Sequence, residues 1–322
     1  MTQETIIAIV VGFILFSVAF YLFSVVFASH CIYIATLKRK SKEQWGRTLS
    51  IVNDLTIKMD NEGLDWQKKY DVYKQDVHII NDGLNLYGEY YDLGFDKAVI
   101  ILSGRTESLR YGYYFAKPYS ETGFNVLVVD SRAHGYSDGE YITVGFEESK
   151  DALAWAGFLN KSFEINTIVF HGICIGAAGG MFAITSPDCP ECVKGLVTEG
   201  MFANFGESMK NHLIERKRLH FPVMQCIDFW FRKYTGHSMK IGPIDVISGM
   251  TKPILMIQSK KDKYSTVENA KKMFDLCPSS EKKLVLYEMG DHSMLRITDT
   301  EKYDKEVSMF LNRLSTTCNQ VG

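Results

Sequence analysis

Val169-Phe170-His171-Gly172-Ile173-Cys174-Ile175-Gly176-Ala177-Ala178-Gly179-Gly180 joins an apolar run to a small-residue run through Gly-x-Cys-x-Gly. The apolar part suits a strand buried on both faces, and the small residues suit a helix lying close against it. A strand-to-helix turn this tight forces its central residue to positive φ and presents that side chain above the sheet. Flanking glycines let the backbone pass closely. Cys174 is therefore a candidate nucleophile. The bland alternative is a buried thiol behaving as a small hydrophobe in a Gly-rich turn.

Similar apolar runs lie on either side, at 98–102, 126–129, 167–170, 195–198, 254–257 and 283–287. Upstream, 76–80 and 84–91 alternate around Asn81-Asp82-Gly83, a hairpin signal. Helix-length stretches occupy 109–122, 146–159, 175–185, 267–276 and 300–314. A leading hairpin followed by alternating β and α units predicts an α/β fold with a mostly parallel sheet and helices on both faces. Residues 200 to 250 interrupt the alternation with aromatic-rich helical sequence and are expected to form a small lid.

A nucleophile at this turn needs a base and an orienting acid from later strand ends. The run 254–257 leads to Asp262, and the run 283–287 leads to His292. Order and spacing predict a Cys174, His292, Asp262 triad. Alone, Asp262 reads as a solvated loop charge and His292 as a surface histidine. Glu199, ending the strand after the turn helix, is the runner-up acid, and Asp291 is a further candidate.

With these residues in place the chain resembles the α/β-hydrolase superfamily over about residues 70 to 315. It is most similar to serine-aminopeptidase-like and acylglycerol-lipase-like members, some with an N-terminal membrane anchor. Asp130-Ser131-Arg132-Ala133-His134-Gly135-Tyr136-Ser137-Asp138-Gly139 matches their D-x-R-x-x-G-x-S-x-G loop, read here as mainly structural. Val99-Ile100-Ile101-Leu102-Ser103-Gly104-Arg105 matches their strand and H-G-x turn, with Ser103 at the histidine position. The resemblance implies an oxyanion hole made by the backbone N–H groups of Arg105 and Ile175. Cys174 departs from the usual serine and is similar to the cysteine of dienelactone hydrolases, polyhydroxyalkanoate synthases and bile-acid amidating acyltransferases. Hydrolysis of an acyl ester or thioester is the preferred expectation. Acyl transfer through the same thioester stays open, as does a non-catalytic binding protein on the same fold.

The N-terminal sequence reads differently. Residues 6–28 contain no charge, and 23 helical residues rise about 34 Å against a hydrocarbon core of about 30 Å. This predicts a transmembrane anchor within 1–40, then a juxtamembrane connector over 41–70 and the α/β domain over 71–322. A cleaved signal peptide fits less well: the apolar stretch is long and no Lys or Arg precedes it. Lys38, Arg39, Lys40, Lys42 and Arg47 come after the span, which predicts a cytoplasmic domain.

Composition narrows the classes. With 36 Lys and Arg against 38 Asp and Glu the net charge is −2, giving no electrostatic reason to expect nucleic acid. A 46 % hydrophobic content excludes wholesale disorder. The seven cysteines lack the density of a disulfide framework. Cys189-Pro190-Glu191-Cys192 has no second cysteine pair at zinc-ligand spacing and is read as structural. No metal or organic cofactor is expected; the expected partners are an acyl substrate and the membrane. In the lid, Phe202, Phe205, Met209, Leu213, Phe221, Val223, Met224, Phe229, Trp230 and Phe231 offer either an acyl-chain surface or simple packing. Lys210, His212, Arg216, Lys217, Arg218 and His220 read either as a headgroup or CoA-phosphate contact or as a solvated helix face.

Overall fold

A computed structural model of the chain describes residues 2–39 and 53–318. Its strands are β1 Lys74–Asn81, β2 Leu84–Tyr91, β3 Lys97–Leu102, β4 Asn125–Val129, β5 Thr167–Ile173, β6 Val193–Glu199, β7 Ile254–Ser259 and β8 Lys282–Tyr287. They form one sheet in the order β1-β2-β4-β3-β5-β6-β7-β8. β1 and β2 pair antiparallel, as do β2 and β4; all later pairings are parallel. Asp82 and Gly83 both take positive φ, 49° and 76°, the requirement of the type I′ turn that matches strand twist.

The continuous apolar runs exist because both faces are covered. Val99, Ile101, Val128 and Val169 face one cluster with Tyr303, Val307 and Leu311 of the helix Thr300–Cys318. Ile100, Leu102, Leu127 and Phe170 face another with Trp155 and Leu159 of the helix Phe146–Phe163 and Met181 of the helix Ile175–Ile184. The parallel strands all end at one edge, where ligands of open α/β sheets bind.

One expected helix is broken. Residues 109–122 form a helical turn at Leu109–Gly112, a 3-10 turn at Tyr113–Phe115 and a second turn at Lys117–Ser120. Pro118 lacks an N–H and fits only the first turn of a helix, so a new segment starts there. Of the expected connector, residues 41–52 lie outside the described residues. The rest is mostly a helix, Asp54–Tyr70, started by a reciprocal cap between Asn53 and Thr56. It docks on the broken segment through Trp66, which donates to Ser120 at 3.0 Å, and Asp60, which Arg110 grips with two bonds.

The N-terminal helix runs from Gln3 to Leu37, past residue 28. By length and composition it is able to cross a membrane, and its large apolar side chains from Ile6 to Phe23 are exposed. Val25, Ser29, Tyr33 and Leu37 are buried; four-residue spacing puts them on one face. That face packs on the lid helix Val223–Thr235: Tyr33 stacks on Tyr234, and Trp230 donates to the Ser29 hydroxyl at 3.2 Å. The other lid helix, Phe205–Glu215, adds Phe205, Met209 and Leu213 to the same cluster.

Candidate active site

Cys174 stands between β5 and the helix Ile175–Ile184 with φ 53° and ψ −109°, a strained conformation for a side chain. The glycines explain how the turn closes. A Cβ on Gly172 would lie 2.4 Å from the Ala177 backbone, and one on Gly176 would lie 2.0 Å from the Leu102 carbonyl oxygen. Neither position admits a side chain. The thiol is thereby lifted to the edge where the parallel strands end.

The structure brings the three candidates together. His292 Nδ1 lies 2.6 Å from Asp262 Oδ2. Asp262 is held from behind, its Oδ1 accepting the N–H groups of Tyr264 and Ser265 at 2.8 and 2.9 Å. Gln258 donates to its Oδ2 at 3.2 Å. Burial opposes charging of the His292 imidazole. The charges of Cys174 and Asp262, and hydrogen bonds to both, outweigh it and hold His292 well above the ordinary histidine value.

The runner-up acids are placed elsewhere. Glu199 turns its Oε1 to the Leu295 N–H at 2.9 Å, and its backbone carbonyl accepts from the Cys174 N–H at 2.9 Å. Glu199 thus braces the segment after His292 from beneath. Burial raises its carboxyl to about 7, and its Oε2 has no hydrogen-bond partner among the described residues. Asp291 is exposed.

Beside Cys174, the backbone N–H groups of Arg105 and Ile175 find no acceptor among the described residues. The Arg105 loop is fixed by its neighbours. His134 spans the carbonyl oxygens of Arg105 and Arg132 at 2.7 and 2.9 Å, and Ser103 donates to the Ser108 carbonyl at 3.3 Å. Asp130 accepts the N–H groups of Leu109 and Tyr136, both at 2.8 Å, and Arg132 makes two 2.7 Å bonds to Asp151. The 130–139 loop therefore shapes the wall of the site through its hydrogen bonds.

A cavity of about 380 Å³ opens over Cys174 and His292. Arg105, Glu107, Tyr111, His212 and Arg216 also line it. Glu107 carried no signal in the sequence; burial raises its carboxyl above the ordinary range, against the pull of His292. Of the lid aromatics Phe205 alone lines this cavity, among the described residues, while Phe221 and Phe229 are exposed. Cys189 and Cys192 sit before β6, at the sheet edge opposite Glu199, with the Lys252 amine 3.4 Å from Cys189 Sγ. No cluster able to hold a metal ion occurs among the described residues.

The fold has relatives among solved structures. An esterase of Pyrococcus furiosus superposes with a TM-score of 0.64 at 23 % identity, covering 77 % of this chain and 93 % of that one. The fold is the α/β-hydrolase fold. Mouse alpha/beta hydrolase domain-containing protein 10 shares it at a TM-score of 0.55 and 16 % identity, over 74 % of this chain and 99 % of that one. In sequence the chain is 28 % identical over 220 residues to the uncharacterized protein YqkD of Bacillus subtilis, spanning 67 % of this chain and 72 % of the relative. An uncharacterized membrane protein of Saccharomyces cerevisiae is 23 % identical over 181 residues, 56 % of this chain and 59 % of that one. No protein-family model matches the chain.

Proposed function

We propose that this α/β-hydrolase-fold chain is a membrane-anchored hydrolase that cleaves an acyl ester or thioester through Cys174, His292 and Asp262. The observation that carries this reading is the His292 imidazole, hydrogen-bonded to Asp262 at 2.6 Å and paired with the Cys174 thiol on its strained turn. The Pyrococcus structure, described as an esterase, and another described as a CIB-like hydrolase support the hydrolase part of this reading.

In this mechanism His292 takes the thiol proton, and Cys174 Sγ attacks the acyl carbonyl carbon. The resulting oxyanion sits against the Arg105 and Ile175 N–H groups, where preorganised donors lower the barrier. As the tetrahedral intermediate collapses, His292 returns the proton to the leaving alcohol or thiol, leaving an S-acyl enzyme. Water, deprotonated by His292, then attacks the thioester; the acid departs and the proton returns to Cys174. Asp262 keeps the imidazole oriented and stabilises its charged form.

The exposed apolar part of the N-terminal helix spans the bilayer in this reading. Basic residues after it support a cytoplasmic position for the α/β domain. The test uses the full chain in neutral detergent with p-nitrophenyl butyrate and mass spectrometry of the Cys174 peptide. Turnover with a trapped acyl group on Cys174, both absent in Cys174→Ala, is expected. Equal turnover by the variant would overturn the reading.

A further inference from the structure

A second cavity, about 260 Å³, adjoins the one over Cys174, and both are lined by Arg105, Phe205, His212 and Arg216. Apart from Thr36 and Arg218, the rest of its lining is apolar. Ile32 and Ala35 of the N-terminal helix face Met209 and Leu213 of the lid helix Phe205–Glu215, each pair at one-turn spacing. The space therefore leads from the thiol, past two guanidinium groups, to the helix whose preceding turns are exposed and apolar.

The charges on this path are unbalanced. Arg110, Arg132, Arg232 and Arg296 each meet a carboxylate, whereas among the described residues Arg105 and Arg216 meet none. Arg105 gives one N–H to the Thr36 carbonyl at 3.2 Å, leaving most of its five donors unassigned. Glu107 is the sole acid among the described residues lining the first cavity, and its burial favours the neutral carboxyl. His212 is held down to about 4 by burial and then by the neighbouring Arg105 and Arg216 charges, so it stays a neutral hydrogen-bonding group. Arg105 and Arg216 border both cavities and Arg218 the second; permanent cations so placed suit an anion with several oxygens, and planar guanidinium forks match phosphate geometry.

We propose that the acyl substrate carries a phosphate group, held between the Arg105 and Arg216 guanidinium groups, with its hydrocarbon chain in the second cavity against the N-terminal helix. This deepens the hydrolase reading and rests on it for the bond that breaks. The phosphate belongs either to a bilayer lipid or to a soluble acyl carrier such as coenzyme A.

The test is binding, on the wild-type full chain in neutral detergent, with three probes that have no cleavable acyl bond: hexadecanol, hexadecyl phosphate and S-hexadecyl coenzyme A. At least one phosphate probe is expected to bind about 10- to 100-fold tighter than hexadecanol, as charged hydrogen bonds of this kind warrant. Tighter binding of hexadecyl phosphate assigns the bilayer source; tighter binding of the coenzyme A thioether assigns the soluble one. Arg216→Gln is expected to bring the probes toward parity. Lys210→Gln, which removes a charge from the same helix outside both cavities, is expected to leave the preference intact. Parity in the wild type, or equal losses in the two variants, would overturn the proposal. Because no probe is turned over, a failed ester assay would remove the hydrolase reading and leave this measurement to stand by itself.

Discussion

The Arg105 guanidinium donates to the Thr36 carbonyl at 3.2 Å, tying the loop beside Cys174 to the last turn of the N-terminal helix. A cation at a helix C-terminus meets the unsatisfied carbonyls and the negative end of the dipole. Arg39, just beyond, donates to the carbonyls of Gly135 and Ser137, both at 2.6 Å. The helix is part of the α/β domain's wall.

Removing this helix therefore harms more than location. Deletion of residues 2–39 is expected to lower the thermal midpoint and to cut p-nitrophenyl butyrate turnover at least tenfold. Deletion of residues 2–22 alone, which are exposed, is expected to leave both largely unchanged. The single substitution Leu37→Ala removes a fully buried side chain and is expected to cost about 2–5 kcal/mol in denaturant titration.

Asp262→Asn keeps the shape of the acid and removes its charge. Turnover is expected to fall about 10³- to 10⁴-fold, as when a triad histidine loses its orienting carboxylate. The His292 titration, followed by NMR, is expected to move down. In the wild type His292 is raised above 6.5, so its contribution to stability is full below that pH and is lost as pH rises through the raised value. The variant is expected to lose much of that dependence.

Glu199 shifts stability in the same direction, though burial rather than a charged partner is the cause. Its folded carboxyl titrates at about 7 against 4.5 for the free group, so between those values the folded state holds a proton that the unfolded state has released. Stability falls as pH rises across that window, by about 3 kcal/mol. Urea midpoints at the two ends of the window measure it. Glu199→Gln is expected to flatten the slope; an unchanged slope would show that another group carries it.

Gly176→Ala tests the turn itself. The new Cβ would press on the Leu102 carbonyl oxygen, a backbone atom that cannot rotate away. A loss of about 1–3 kcal/mol or more is expected, together with reduced turnover because Leu102 leads directly into the Arg105 loop. A fully active, equally stable variant would show that β3 yields at this point.

The strands were legible because their signal is local: apolar runs of five or so residues punctuated by glycine, with β1 and β2 marked by Asn81-Asp82-Gly83. Cys174, Asp262 and His292 were legible as candidates because each comes just after such a run, and a parallel sheet gathers the loops leaving its strands at one edge. The features that stayed hidden depend on contacts between distant residues. The broken segment at 109–120 arises from Pro118 and from packing on Trp66. The Arg105 side chain meets Thr36 across 69 positions of chain. The lid's apolar face was visible in sequence, but not that the N-terminal helix covers much of it. Glu107 carried no signal, and Arg216 read equally as a phosphate contact or a solvated helix face until the cavity is seen.

The N-terminal helix continues without interruption from its exposed apolar turns into the segment packed on the lid, so no slack tether separates the two. A helix rising about 1.5 Å per residue is a strut. The pocket over Cys174 is thus held at a constant height above whatever surface receives those turns. On the membrane-anchored reading proposed above, its encounters there are governed by lateral diffusion in two dimensions.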